Sequence, residues 1–553
     1  MLRRVYAARN IAGGDELDNS LNRLHAPADL KGVPQAVELL LAALMRQERI
    51  LVIGDFDADG ATSSALMVAA LRKLGAEQVD YLVPNRFAFG YGLTPEIVEV
   101  ASARAPNLII TVDNGISSLS GVTAARQRGI RVLITDHHLP GNELPDADAI
   151  VNPNQPGDTF PSKNLAGVGV AFYLLMALRG RLRECGWFQQ GEREEPNLAD
   201  FLDLVALGTV ADLVPLDHNN RVLVQQGLQR IRSGRCRPGI RALLEVAGRN
   251  AERLVAADFG FAVGPRLNAA GRLDDMSLGI ECLLAANLTE ARQFAERLDA
   301  LNRERREIEA EMKTQALELV QRLHIDSEQL PVGLCLYNPD WHQGVIGILA
   351  SRIKERFHRP VIVFARSGPD ELKGSARSIP GLHIRDTLDA IAAHHPELLQ
   401  KFGGHAMAAG LSLAESGLPA FEAAFQEELH NRLEEEALTG VLESDGALQA
   451  GEFKLELAEI LRSAGPWGQG FPEPLFDGWF TVVNCRVVGE HHLKLALRPQ
   501  DGRQVLDAIA FNQAADHQLQ KGQRVRLAYR LDSNEYRGLL GLQLIVEMIN
   551  DTQ

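Results

Sequence analysis

Four short runs dominated by Val, Ile and Leu stand between residues 49 and 136: "RILVIG", "VDYLVP", "NLIITVD" and "IRVLITD". Helix-like stretches such as "ATSSALMVAALRKLG" and "SSLSGVTAARQRG" separate them. Continuous apolar runs alternating with helical segments predict βαβ units around a parallel sheet covered on both faces. Residues 1–46 form a helical lead-in and residues 47–283 the first α/β domain. From Asn287 to Pro331 the chain has neither Gly nor Pro between, and Leu288, Ala291, Ala295, Leu298 and Leu301 recur at helical spacing. Asn287 with Glu290 three residues on marks a helix start, so residues 284–328 read as a long connecting helix. Its charge run "RERREIEAE" reads as a solvated face. Residues 329–435 return to α/β character, with "VGLCLYN" and "RPVIVFAR" as strands. In residues 440–553, "FTVVNCRVV", "HLKLALR" and "RVRLAYRL" alternate at period two, with "QDGRQ" as a hairpin turn. A small antiparallel barrel of about five strands, OB-like, fits that pattern. The fold class is α/β multidomain: a parallel-sheet domain, a connecting helix, a second α/β domain and a β-barrel.

Length agrees, since 553 residues make roughly three or four domains at about 150 residues each. No apolar run approaches the roughly 20 residues of a spanning helix. "MLRRVYAARN" has arginines without an apolar region behind them, so no secretory signal and no membrane association are expected. The five cysteines form no CxxC pair, which argues against a zinc ribbon and fits a reducing cytoplasm. The net charge of −15 excludes a whole-surface electrostatic grip on nucleic acid and leaves room for local basic channels.

Acidic clusters stand where apolar segments end. Asp55, Asp57 and Asp59 follow "LVI", Asp113 follows "LIITV", Asp136, His137 and His138 follow "VLIT", and Asp212 follows "LVALGTVA". In a parallel sheet the first three clusters converge on the carboxyl edge, where ligands gather. Clustered carboxylates repel and resist ionising together, so the set calls for cations. Oxygen ligands with one or two imidazoles suit manganese or magnesium. One carboxylate shared between two ions about 4 Å apart would serve an in-line phosphoryl displacement.

"GDFDADG", "TVDNG", "TDHH" and "GTVADLVPL", in that order, resemble the successive motifs of the DHH phosphoesterase superfamily. Downstream, "GPRLNAAGRLDD", "WHQGVIGILASRI", "KGSARS" and "GGHAMAAGLS" resemble its single-stranded-DNA exonucleases. The match runs from about residue 50 to 550. It implies that residues 47–283 are the DHH catalytic domain and residues 329–435 a DHH-associated, substrate-binding domain. By the same resemblance, Asp57, Asp59, Asp113, His137 and Asp212 are metal ligands, Asp113 being the bridging carboxylate. Asp55 and Asp136 match motif acids that act as ligands or as orienters of ligands. His138 matches the histidine facing the substrate phosphate, and with Asp113 and Asp136 makes the expected catalytic set.

Expected substrate contacts lie on several segments. "VPNRFAFGYG" places Arg86 in a loop after a strand, and "GPRLNAAGR" places Arg266, Asn268 and Arg272 among small residues that permit close backbone approach. An arginine fork suits bidentate phosphate binding. "KGSARS" brings Ser375 and Arg377, with Lys373 and Ser378, and the Gly-Gly-His of "FGGHAMAAG" brings His405. From residue 480 to 540 there are nine Lys plus Arg against six Asp plus Glu. Trp467, Phe471 and Phe476 just before this basic stretch are candidate stacking platforms for single-stranded bases.

The resemblance implies 5′-to-3′ degradation of single-stranded DNA to mononucleotides with two divalent ions, manganese or magnesium, in repair and recombination. A single-strand-binding protein and a helicase are the implied partners, and a monomer is expected. The alternative enzyme is a DHH-type phosphodiesterase on short oligonucleotides or cyclic dinucleotides, which would not need the β-barrel. A non-enzymatic scaffold on a degenerate DHH fold would have lost metal ligands, and every matching acid and histidine is present.

Overall fold

The computed structural model describes residues 1–85, 89, 92–190, 193–327, 330–536 and 538–550. Two compact units emerge: Met1–Gly271 with Asp275–Asp299 and Glu443–Gln553, and Arg272–Asp274 with Ala300–Leu442. The first contains a parallel sheet of β1 (Ile50–Gly54), β2 (Val79–Leu82), β3 (Leu108–Val112), β4 (Arg131–Thr135) and β5 (Ala149–Val151). Their order is β2-β1-β3-β4-β5, and every pair is parallel. All five residues of β1 and of β3 are buried, which is why these segments are apolar without alternation. The short β5 has too few residues to stand out as a run. Helix Ala58–Lys73 follows β1 and packs on helices Gly167–Glu184 and Leu202–Ala211. The order reverses direction at β1 and β3, and a crevice at the carboxyl ends of such strands is where doubly wound sheets bind ligands.

The same unit holds a closed barrel of β11 (Phe476–Val488), β12 (His492–Pro499), β13 (Leu506–Ala510), β14 (Arg524–Tyr536) and β15 (Leu539–Asn550), in the order β11-β12-β13-β15-β14. The expectation of an all-antiparallel barrel needs correcting, because β13 and β15 pair parallel. The three aromatics expected to stack on DNA are also corrected. Phe476 is 0% and Phe471 3% exposed, and Trp467 packs against the barrel core and stacks on Phe471. They serve packing. Of the basic excess, Lys494 pairs with Asp507, Arg526 with Asp477, and Arg530 with Glu473 and Glu547.

Residues 1–46 are not one lead-in. Helix Val33–Met45 packs on helix Gly167–Glu184. Helix Leu2–Ala7 instead places Val5, fully buried, in the core of the distant barrel. Arg9 secures this junction, its Nη1 and Nη2 donating to the Asp445 carboxylate at 2.8 and 3.1 Å, with both side chains under 7% exposed. Asp445 also accepts the Leu475 N–H at 3.0 Å. Removing one partner of such a pair leaves a buried charge uncompensated. Asp445→Ala is therefore expected to cost about 3–5 kcal/mol, read as a lower denaturation midpoint in urea.

The second unit carries a mixed sheet of β6 (Leu334–Tyr337), β7 (Val361–Gly368), β8 (Glu371–Arg377), β9 (Lys401–Gly404) and β10 (Ala408–Leu413), in the order β6-β7-β8-β10-β9. Helix Leu288–Ser327 begins in the first unit and continues in the second. The Asn287 side chain accepts the Glu290 N–H at 3.0 Å, as the start signal predicts. Arg305 departs from the solvated face expected of its charge run: it is 8% exposed and bonds Asn302 and Glu309. An arginine buried at that depth needs such partners to offset its lost hydration.

Candidate metal centre

Strand register places the acids. Gly54 pairs with Val112, and Val112 with Thr135, so the next residues, Asp55, Asp113 and Asp136, leave three adjacent strands side by side. Asp57 turns the chain from strand to helix: its Oδ1 accepts the Asp59 and Gly60 N–H groups at 2.9 and 3.0 Å, capping helix Ala58–Lys73. Any Cβ at Gly60 would collide with the Asp55 backbone. Asp113 has φ +61°, a left-handed conformation that aspartate tolerates better than most residues. A Cβ at Gly167 would lie 2.6 Å from the Asp113 Cβ, so only glycine lets that helix start abut the acid.

Asp59 is 1% exposed and sits at the N-terminus of helix Gly167–Glu184, where it accepts the Gly167 and Val168 N–H groups at 2.6 and 3.0 Å. A helix start is a natural anion seat. Asp212 is the C-cap of helix Leu202–Ala211. His137 Nε2 lies 3.1 Å from Asp113 Oδ1 and 3.4 Å from Asp212 Oδ2, joining the β3 and β4 loops to that helix end.

Burial, followed by the charges of its acidic neighbours, raises the pKa of each central acid. Asp59 is pushed up to about 7 by desolvation and then by Asp57. Asp113 and Asp212 are raised well above the usual carboxylate range by desolvation and then by Asp59 and Asp57. Asp136 behaves oppositely. Burial works to raise it, but the His138 hydrogen bond and the two imidazoles hold it below the ordinary value. Burial works to lower the His138 pKa, and the Asp136 hydrogen bond and charge outweigh it, giving about 9.

Three groups of ligand atoms lie within 4.8 Å of one another: Asp55, Asp57 and Asp113; Asp59, His137 and Asp212; and Asp113, His137 and His138. Asp113 is common to the first and third. The buried Asp212 Oδ2 accepts no hydrogen bond among the described residues. Hard oxygen donors, an imidazole and uncompensated negative charge fit a pair of divalent cations. Asp136 stands behind the cluster and belongs to none of the three groups. Its Oδ1 accepts the His137 and His138 N–H groups and lies 2.7 Å from His138 Nδ1, while its Oδ2 accepts the Ile116 N–H at 2.9 Å. These bonds tie Asp136 to His138, in keeping with the orienting role that is one of the two expected of it.

The expected substrate contacts divide between the units. Arg86 lies outside the described residues. Arg266 is 8% exposed, its Nε and Nη2 meeting Asp299 Oδ1 at 2.9 and 2.8 Å and its Nη1 donating to the Ala262 carbonyl. In the second unit, Arg272 donates to the Gly344 carbonyl at 3.0 Å. There too, Arg377 Nη1 donates to Ser375 Oγ at 3.2 Å, and His405 is exposed on the β9–β10 turn. Ser378 is fully buried and donates to the Leu382 carbonyl.

Asn268, expected to face substrate, lies against the acidic loop: its carboxamide oxygen accepts the Ala58 N–H at 2.7 Å. It holds the first turn after Asp57, so it positions the acidic loop. Asn268→Ala would leave a part-buried N–H unsatisfied, at about 1–3 kcal/mol. The expected result is a lower melting temperature together with weaker Mn2+ binding by calorimetry. Asn114 was missed by sequence reasoning: buried, it donates to the Ile53 and Val112 carbonyls and ties the ends of β1 and β3 together. Its place beside Asp113 in "TVDNG" was the available signal. The Gly167 helix start was missed as well, and its small-residue run "AGVGVA" was the sign of close approach.

A five-stranded parallel sheet bearing clustered acids and DHH histidines at its switch point defines a phosphoesterase of the DHH class. The DHH family N-terminal domain matches residues 49–209, the DHHA1 domain residues 331–431 and the RecJ OB domain residues 444–548. The single-stranded-DNA-specific exonuclease RecJ of Dickeya dadantii (strain 3937) is 58% identical over 550 residues, covering 99% of this chain and 95% of that protein. The crystal structure of RecJ from Thermus thermophilus in complex with Mn2+ is similar, with TM-score 0.78 and 31% identity over 100% of this chain and 76% of that one. The corresponding Mg2+ complex has TM-score 0.74 and 29% identity over 100% of this chain and 74% of that one. The chain belongs to the RecJ family of single-stranded-DNA-specific exonucleases. Among the described residues no helix is long and apolar enough to cross a membrane.

Proposed function

We propose that this chain is a single-stranded-DNA-specific exonuclease. It hydrolyses phosphodiesters 5′ to 3′ and releases mononucleotides, using two divalent ions, manganese or magnesium. The observation that carries this reading is the sharing of Asp113 between the Asp55–Asp57 group and the His137–His138 group. Asp55, Asp57 and Asp113 would hold one ion, and Asp59, Asp113, His137 and Asp212 the other. When bound, the pair supplies Lewis acidity at the phosphoryl group and eases deprotonation of water.

The protein's own groups do the rest. Asp136 fixes His138 through Nδ1 and keeps the ring protonated at neutral pH, which leaves Nε2–H to donate to a phosphate oxygen. Asn114 and Asn268 hold the loops that present the acids. Arg86, Arg266, Arg272, Ser375, Arg377 and His405 are the candidate contacts to the DNA phosphates. The reading places the enzyme as a monomer in the cytoplasm, in repair and recombination, with a helicase and a single-strand-binding protein supplying its substrate. Digestion of end-labelled single and double strands, with each metal added in turn, tests it. Mononucleotides released from the 5′ end of single strands only are expected, whereas hydrolysis confined to dinucleotides would overturn the reading.

A further inference from the structure

Helix Leu202–Ala211 ends in a way that needs a reason. Its C-cap is Asp212, and Leu213 follows with φ +60°, its N–H donating to the Val210 carbonyl at 3.3 Å. This is the left-handed position that closes many helices, where glycine is favoured because a Cβ strains the backbone. Eight non-glycine residues with positive φ occur among the described residues, and Leu213 is the only large aliphatic one. Packing does not compensate the strain, since the side chain is 68% exposed. Leu139 is 58% exposed and immediately follows His138. These are the only two exposed large apolar side chains within two residues of a candidate metal ligand among the described residues. Their segments meet at His137, whose Nε2 lies 3.4 Å from Asp212 Oδ2.

We propose that Leu213, with Leu139, forms an apolar seat for the nucleobase next to the scissile phosphate, and so is a specificity-determining residue for unpaired DNA. The inference rests on the exonuclease reading above. The charged groups of the centre suit the phosphate and offer nothing to the rest of a nucleotide. An unpaired base presents a bare apolar face, and contact with it is tolerant of sequence because every base has one. In a duplex end that face is covered by stacking, so the same seat would stay empty. Strain kept at a functional site in exchange for a side chain's position is a known arrangement.

The test uses the full chain and two variants. Leu213→Gly removes the side chain and relieves the backbone. Leu213→Asn keeps a residue that tolerates the left-handed region but removes the apolar surface. Each is assayed with Mn2+ on a single-stranded oligonucleotide and on the same oligonucleotide bearing abasic sites at its 5′ end. The wild type is expected to favour the base-bearing strand about tenfold, and both variants to bring that ratio to within about twofold, with Leu213→Gly melting no lower than wild type. A wild-type ratio retained in both variants overturns the proposal. So does a lowered melting temperature in Leu213→Gly, which would make the side chain structural. Wild-type inactivity on both strands would instead overturn the exonuclease reading itself.

Discussion

Asp113→Asn is expected to lower single-strand degradation by about 10³-fold or more, because metal-assisted charge stabilisation is worth several kcal/mol. The substitution keeps the shape of a side chain that is 1% exposed and removes only its charge. Asp113 is the acid shared by two ligand groups, so both halves of the centre weaken together. The same variant should be more stable than wild type when metal is absent. Burial and the charges of Asp59, Asp57, Asp212 and Asp55 all oppose ionisation of Asp113, and an amide suffers none of that repulsion. DNA binding through the remaining contacts should persist. The informative measurements are an end-label assay, fluorescence anisotropy with a labelled single strand, and thermal melting in chelator. Full nuclease activity in this variant would refute the shared-ligand assignment.

Chelation is expected to abolish cleavage and to leave a protein whose stability falls as pH rises. Asp59 has a folded pKa of about 7 against an ordinary 3.8, so the folded state keeps its proton where the unfolded chain has lost it. Stability therefore declines from about pH 4 and reaches its full penalty above 7. Asp113 and Asp212 act in the same direction. His138 adds to the trend, because its imidazolium, held up to about 9, stabilises the fold fully below about 6.5 and progressively less as pH rises through 9. Asp136 has a depressed pKa, and its contribution is lost only in acid. Divalent ions compete with protons for the same oxygens, so Mn2+ should raise the melting temperature more at pH 8 than at pH 5.5. At 100 times its Kd each bound ion adds about 2.7 kcal/mol. Scanning calorimetry in chelator and in Mn2+ at both pH values checks this. A metal-free melting temperature that climbs from pH 5.5 to 8, or an equal Mn2+ shift at both, would contradict it.

Much of the centre was legible without coordinates. Apolar runs that end in acids mark parallel strands delivering side chains to one edge, because continuous burial demands apolar residues and the carboxyl edge is where they can stop. That logic identified Asp55, Asp113 and Asp136 as neighbours, and the motif order gave Asp57, Asp59, His137, His138 and Asp212 their company. The long helix was equally plain from its cap and its spacing. What the sequence could not distinguish was which strand-end acid holds a histidine in place. Asp136 and Asp113 follow equally apolar strands, yet it is Asp136 that accepts the Ile116, His137 and His138 N–H groups. The aromatics Trp467, Phe471 and Phe476 posed the same problem, since a ring that stacks on a base and one that fills a core have the same local pattern. Only the fold brings Val5 into a barrel more than 400 residues away and sets the Gly167 helix start against Asp59. Local propensity and burial period are written along the chain, whereas the partner of a buried polar group is fixed by contacts between segments that the sequence keeps far apart.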